Sequence, residues 1–200
     1  MFRVLIRAGL TLAAALSAAT AAATPVVIAE DFEGPTFPPA GWRIEYNVYM
    51  ASASWTRGGS AGAYYAYGSG SAGGMASHAE GYLITSPRAL EAGDTLKITF
   101  RYNGTKTGSL ASWYREVALR KNGGRIWYAR LGETGWTPYE YTLAPLAEGG
   151  TDYDFWWAFG CLSPNNGGGS VTFGVDDILI TEENLGVTPA SLGRVRALFR

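Results

Sequence analysis

From Val26 to Thr181 the chain is a run of short segments that alternate apolar and polar residues, each closed by Gly, Pro, Asn or Asp. A two-residue period puts alternate side chains on opposite faces of a strand, and turn residues at this spacing join strands rather than helices. Thr95 to Tyr102 sets Leu96, Ile98 and Phe100 against Lys97, Thr99 and Arg101. Trp42 to Val48 sets Trp42, Ile44 and Tyr46 against Arg43, Glu45 and Asn47. Tyr114 to Arg120 runs into Lys121-Asn122-Gly123-Gly124 and Arg125 to Leu131 returns. Asn-Gly in that place is the strongest short-range hairpin signal. With Val26 to Phe32, Ala63 to Tyr67, Tyr82 to Thr85, Tyr139 to Leu143, Tyr153 to Phe159 and Val171 to Thr181, the set reaches about ten strands. No helical period lies between them, so a parallel α/β sheet with crossover helices is excluded. The fold class is all-β, a sandwich or barrel. Gly68 to Gly74 and Asn165 to Ser170, rich in Gly with Ser or Asn, read as loops because strands flank both.

The composition agrees. Aromatic residues make up 14% of the chain and charged residues only 16%, with 27 Gly, a balance that suits strands and tight turns. A net charge of −1 offers no electrostatic footprint for nucleic acid. The single cysteine, Cys161, excludes an intramolecular disulfide and reads as a buried free thiol within an apolar run.

The ends read differently. Residues 1–23 hold Arg3 and Arg7, then an apolar Leu/Ala stretch, then Ala21-Ala22-Ala23, the order of a cleavable signal peptide. The stretch is too short and diluted for a membrane span. Residues 24–182 form the expected domain, exported to an extracellular, periplasmic or cell-surface location. Residues 183–200 are a linker and short tail, in which Ser191 to Arg200 reads as one basic amphipathic turn, either a plain C-terminal turn or a sorting or surface-attachment tag.

Glu30-Asp31-Phe32-Glu33-Gly34 and Phe37-Pro38-Pro39-Ala40-Gly41-Trp42 open the domain. Ser54-Trp55, Ala63-Tyr64 and Tyr82-Leu83-Ile84-Thr85-Ser86-Pro87 follow, and Val175-Asp176-Asp177-Ile178-Leu179-Ile180 closes it. In this order and spacing the motifs resemble the choice-of-anchor J family, cleaved-adhesin-like modules similar to MAM domains. The resemblance implies a jelly-roll β-sandwich on secreted or surface-attached proteins. It also implies adhesion or glycan binding, and in some members calcium.

For a structural calcium ion, which takes six to eight oxygen ligands, the candidate ligands are Asp31, Glu33, Asp176 and Asp177. Asp177 shares a side with Val171, Phe173, Val175 and Leu179, so if that side is the core it is the buried acid and needs a cation or donors. The alternative is that these acids accept backbone N–H bonds or pair with arginine. For a glycan or surface-protein ligand, the candidate rings are Tyr64, Tyr65, Tyr67, Trp113 and Trp127, since strands carrying rings on both faces must expose some. No catalytic residue is assigned. An enzyme of this class would be a glycoside hydrolase using Asp31/Glu33 or Asp152/Asp154, and a structural matrix component is the third class. Gly58-Gly59-Ser60-Ala61-Gly62 and Gly68-Ser69-Gly70-Ser71-Ala72-Gly73 match nucleophile-elbow and dinucleotide patterns only in letters, because no helix follows either. His78, the one histidine, reads as a loop residue. The oligomeric state is left open.

Overall fold

A computed structural model describes residues 25–60 and 62–183. Residues 1–23, expected from sequence to be a signal peptide, and the tail from residue 184 onward lie outside the described residues. The strands are β1 (Val26–Glu30), β2 (Arg43–Tyr49), β3 (Ala51–Gly58), β4 (Tyr65–Gly73), β5 (His78–Ile84), β6 (Arg88–Leu90) and β7 (Leu96–Gly104). They continue with β8 (Lys106–Gly108), β9 (Ser112–Lys121), β10 (Gly124–Arg130), β11 (Thr134–Thr142), β12 (Gly150–Leu162) and β13 (Gly168–Glu182). All pairings are antiparallel.

Seven strands form one sheet, in the order β11-β7-β13-β4-β3 with β1 and β8 also paired to β13. Six form the other, in the order β10-β9-β12-β5-β2 with β6 also paired to β12. The chain passes repeatedly from sheet to sheet, as in a jelly roll, and the first and last strands are neighbours. Asn122 and Gly123 both have positive φ, and the tight turn they make brings Gly124 opposite Lys121.

The inward residues of the two sheets make one core. Leu96, Ile98 and Phe100 of β7 and Phe173 and Val175 of β13 meet Val117 and Leu119 of β9 and Phe155, Trp157 and Phe159 of β12. Cys161 is buried there too, and burial pushes its thiol pKa up. The family-like opening motif also builds core: the Phe32 ring meets Trp42 edge-on at 5.9 Å, and Trp42 stacks on Trp157 at 5.6 Å.

Several sequence expectations are corrected. Among the described residues thirteen strands replace about ten. The short β6 and β8 carry too few residues to show alternation, and β3, apart from Trp55 and Arg57, is built of small residues. Gly68 to Gly73 is strand, not loop. Its glycines leave room for a ring of the opposite sheet: a Cβ on Gly68 or Gly70 would lie 2.5 or 2.8 Å from the Phe159 ring. Gly81 on β5 meets the same ring at 2.5 Å, so glycines of both sheets clear space for one phenyl group. The glycine-rich turn before β13 ends at Gly167, and Gly168 to Ser170 is already paired.

Asp177 is not the buried acid. A β-bulge between Asp176 and Leu179, with Asp177 at φ 51°, shifts the alternation by one residue. Ile178 and Ile180 then point inward, while Asp177 and Leu179 are exposed.

Candidate functional site

The buried side of the six-stranded sheet fixes what its other side shows. With Val117 and Leu119 inward on β9, Tyr114, Glu116, Ala118 and Arg120 face out. With Phe155, Trp157 and Phe159 inward on β12, Asp154, Trp156, Ala158 and Gly160 face out, and β5 contributes Glu80 and Tyr82. Register brings these together: Ala158 lies opposite Glu116 on one side and Tyr82 on the other, and Arg130 of β10 lies opposite Glu116. The small residues lower the floor. Gly160 cannot carry a Cβ, which would lie 2.3 Å from the Tyr114 ring lying over it.

The result is a depression of about 280 Å³ lined by Glu80, Tyr82, Tyr114, Glu116, Arg125, Arg130 and Trp156. Tyr82 stacks on Trp156 with ring centroids 4.8 Å apart. The Tyr82 and Tyr114 hydroxyls donate to the two oxygens of Glu80 at 2.7 and 3.1 Å. Burial pushes the Tyr82 phenol pKa up to about 12 and raises that of Tyr114 as well, so both stay protonated donors in ordinary buffers. Glu116, only 2% exposed, accepts from Arg125 at 3.1 and 3.2 Å and lies 3.3 Å from Arg130. Guanidinium groups also lie on the rings: Arg130 over Tyr114 at 4.5 Å, Arg120 over Trp156 at 4.6 Å and Arg125 over Tyr128 at 4.7 Å. Beside the depression Arg120 grips Asp154 with two bonds of 2.6 and 2.7 Å, and Arg43 reaches the same carboxylate at 3.4 Å. This face therefore holds its rings and polar groups in one fixed arrangement.

Most of these residues were not singled out from sequence. On β9 and β10 the rings named were Trp113 and Trp127, but both pack against the core, and Tyr114 and Tyr128 stand outside. Taking Val117 and Leu119 as core residues would have given the correct side for Tyr114 and Glu116. Trp127 stacks on Tyr141 at 5.0 Å and lines a separate apolar pocket of about 380 Å³ beside Ile126, Leu143 and Leu146. Tyr65 and Tyr67 are on the outer face of the seven-stranded sheet, 6.3 Å apart, and Tyr65 meets Trp136 edge-on at 5.0 Å. Tyr64 lies beneath Arg57 at 4.8 Å. His78 is not in a loop; it opens β5 with Nε2 3.3 Å from Asn47 Oδ1.

The four acids considered for calcium are already engaged. Glu33 accepts from Tyr64 N at 2.6 Å and Gly62 N at 3.0 Å. Asp31 accepts from Glu33 N at 3.0 Å, and Asp176 from Asp177 N at 2.9 Å. Asp177 lies 3.5 Å from Arg101. Asp31 and Asp177 line one open hollow, but among the described residues no three acidic, histidine or cysteine side chains are grouped to hold an ion. Asp176 is half-buried; burial, then the nearby Asp177 and Glu33 charges, push its pKa up to about 6 against the opposing effects of the Asp177 N–H and Arg101. Of the hydrolase candidates, Asp154 is tied to two arginines and Glu33 to backbone.

No family model and no curated protein matches the chain. Among solved structures it is similar to a family 11 carbohydrate-binding module from Clostridium thermocellum in complex with a β-1,3-1,4-mixed-linked tetrasaccharide. The identity is 18% and the TM-score 0.43, over 78% of this chain and 94% of that one. It is similar to TmCBM27, a carbohydrate-binding module described by its mannan recognition, at 10% identity and a TM-score of 0.47, over 80% and 98% of the two chains. It is also similar to the enzymatically active domain of bacteriophage CBA120 tailspike protein 4, at 8% identity and a TM-score of 0.43, where it spans 72% of itself and 20% of that chain. Among the described residues no helix is long and apolar enough to cross a membrane.

Proposed function

We propose that the protein is a non-catalytic glycan-binding module of an exported or surface-attached protein, and that it takes a neutral oligosaccharide chain across the outer face of the six-stranded sheet. The observation that carries this reading is the stacked Tyr82–Trp156 pair set in a depression beside fixed carboxylates and guanidinium groups. A sugar ring offers an apolar C–H face and a rim of hydroxyls. The first suits an aromatic face, and the second suits groups that accept and donate in fixed directions. Arg43, Arg120, Arg125 and Arg130 stand among Glu45, Glu80, Glu116 and Asp154, a balance that favours an uncharged ligand over an acidic one. Export rests on the pattern of residues 1–23, and kinship with choice-of-anchor J adhesins on the motifs between Glu30 and Ile180. Those motifs supply core as much as surface.

The test is titration calorimetry of the domain against soluble oligosaccharides of mixed-linked glucan, xylan and mannan. Tyr82→Ala is expected to weaken binding roughly tenfold or more with the fold intact by circular dichroism. Absence of binding to every neutral glycan, or an unchanged affinity in Tyr82→Ala, sinks the reading.

One observation favours a second reading. Glu80 and Glu116 line the same depression, and a glycoside hydrolase works with a pair of carboxylates. Against it, Glu116 is clamped by two arginines and Glu80 by two phenols, so neither has the freedom of an acid or nucleophile. Release of reducing ends that disappears in Glu116→Gln would establish the enzyme.

A further inference from the structure

The opposite face of the sandwich has a different chemistry. Outward positions of β3, β4, β13 and the β7–β8 segment fall into three rows. Ser52 lies opposite Ser71, Ser71 opposite Ser170 and Ser170 opposite Thr107. In the next row Ser54 lies opposite Ser69 and Ser69 opposite Thr172, which bonds to Thr105. In the third, Thr56, Tyr67, Gly174 and Asn103 follow one another.

No position in these rows is charged. The hydroxyls are held rather than free to rotate: Ser54 pairs with Ser69 at 3.0 Å, Thr105 with Thr172 at 3.1 Å and Thr107 with Ser170 at 2.7 Å. Sheet geometry spaces them about 4.8 Å apart across strands and about 6.7 Å apart along them. Gly174 keeps the surface low, since a Cβ there would lie 2.3 Å from Asn103 Oδ1. Tyr65 and Trp136 border the rows on one side, where Arg101 and Asp176 bring charge, and Lys106 and Glu133 lie at the β8 edge.

From this lattice we infer a second glycan surface, one that meets the flat, uncharged face of packed, insoluble polysaccharide rather than a single soluble chain. The inference rests on the glycan-binding reading above. A protein partner suits the rows poorly, because interface cores favour aromatic side chains and arginine over serine. Nucleic acid suits them no better, since they present no cation to a phosphate. A regular array of hydroxyls with a ring border matches a polymer whose own surface is a regular array of hydroxyls and C–H faces. A depression lined by paired charges suits a single chain that can sink into it.

The test is sedimentation of the domain with microcrystalline cellulose and with chitin powder, beside calorimetry with the soluble oligosaccharides. Ser69→Lys/Thr172→Lys is expected to lower retention on one of the insoluble polymers roughly tenfold while leaving soluble binding unchanged. Tyr82→Ala is expected to do the reverse. The single variant Ser71→Glu, at an exposed position, serves if the double variant melts early. No retention of the unmodified domain on either polymer, or equal retention of the charged variants, overturns the inference. If soluble binding fails but retention is lost only in the charged variants, the groove reading falls and the hydroxyl face stands.

Discussion

The two outer faces of the sandwich share one core and one kind of strand, yet differ in what they present. On the six-stranded sheet every prominent polar group is charged or bonded to a charge: Glu116 between two arginines, Asp154 between two more, Glu80 beneath two phenols. On the seven-stranded sheet the central rows are neutral hydroxyls bonded to each other. Both faces meet the same requirement, that alternate residues be apolar and buried. Packing dictates which positions point out and leaves their chemistry free.

The contrast can be broken most severely on the charged side. Asp154→Ala leaves Arg120 buried without its partner and is expected to cost about 3 kcal/mol in denaturant unfolding. Ser71→Ala, an outward change on the hydroxyl side, is expected to stay within about 0.5 kcal/mol. A small effect of Asp154→Ala would show that the ion pairs decorate the face without holding it. Gly81→Val attacks what the faces share, pressing a side chain into the Phe159 ring, and should cost about 2 kcal/mol by the same assay, with binding on both faces weakened together.

Asp176 sharpens the border of the hydroxyl face. Its pKa in the folded protein, about 6, is above the ordinary 3.8, so the native state holds the proton more tightly than the unfolded chain. Stability from this group therefore falls as pH rises from 3.8 through 6, and the penalty is complete above that. Asp176→Asn keeps an acceptor for the Asp177 N–H. After discounting for solvent screening, it should raise stability by about 1 kcal/mol at pH 7. Little gain is expected near pH 4, as read by melting at the two pH values. The smallest effect expected is that of calcium: the acids between β1 and β13 are engaged elsewhere, so the melting midpoint should be equal in EDTA and in excess calcium. A rise with calcium would mean that Asp177 leaves Arg101 to join an ion site.

Much of the fold was legible in alternation. The β7 pattern and the Asn122-Gly123 turn appear in the structure as the sequence implies, because each depends on neighbours along the chain. The glycine-rich β4 was not legible, because its glycines answer to Phe159, some ninety residues away. Nor was the inward turn of Ile178, which depends on a bulge that alternation alone does not reveal. The site was harder to read for a related reason. Glu80, Tyr114, Glu116 and Arg130 come from β5, β9 and β10, and only cross-strand register joins them. Single rings could be named from sequence, but not the side of the sheet that each would occupy.

β1 and β13 run antiparallel as neighbours, with Val26 opposite Thr181 and Glu182 N donating to Pro25 O at 2.9 Å. The chain therefore enters and leaves this domain at one point, and a tether at either end leaves both broad faces open to their surroundings. Tension between the two ends would load the β1–β13 ladder one bond at a time, as a zipper, rather than all at once in shear. A domain built this way yields where its two ends meet before its faces deform.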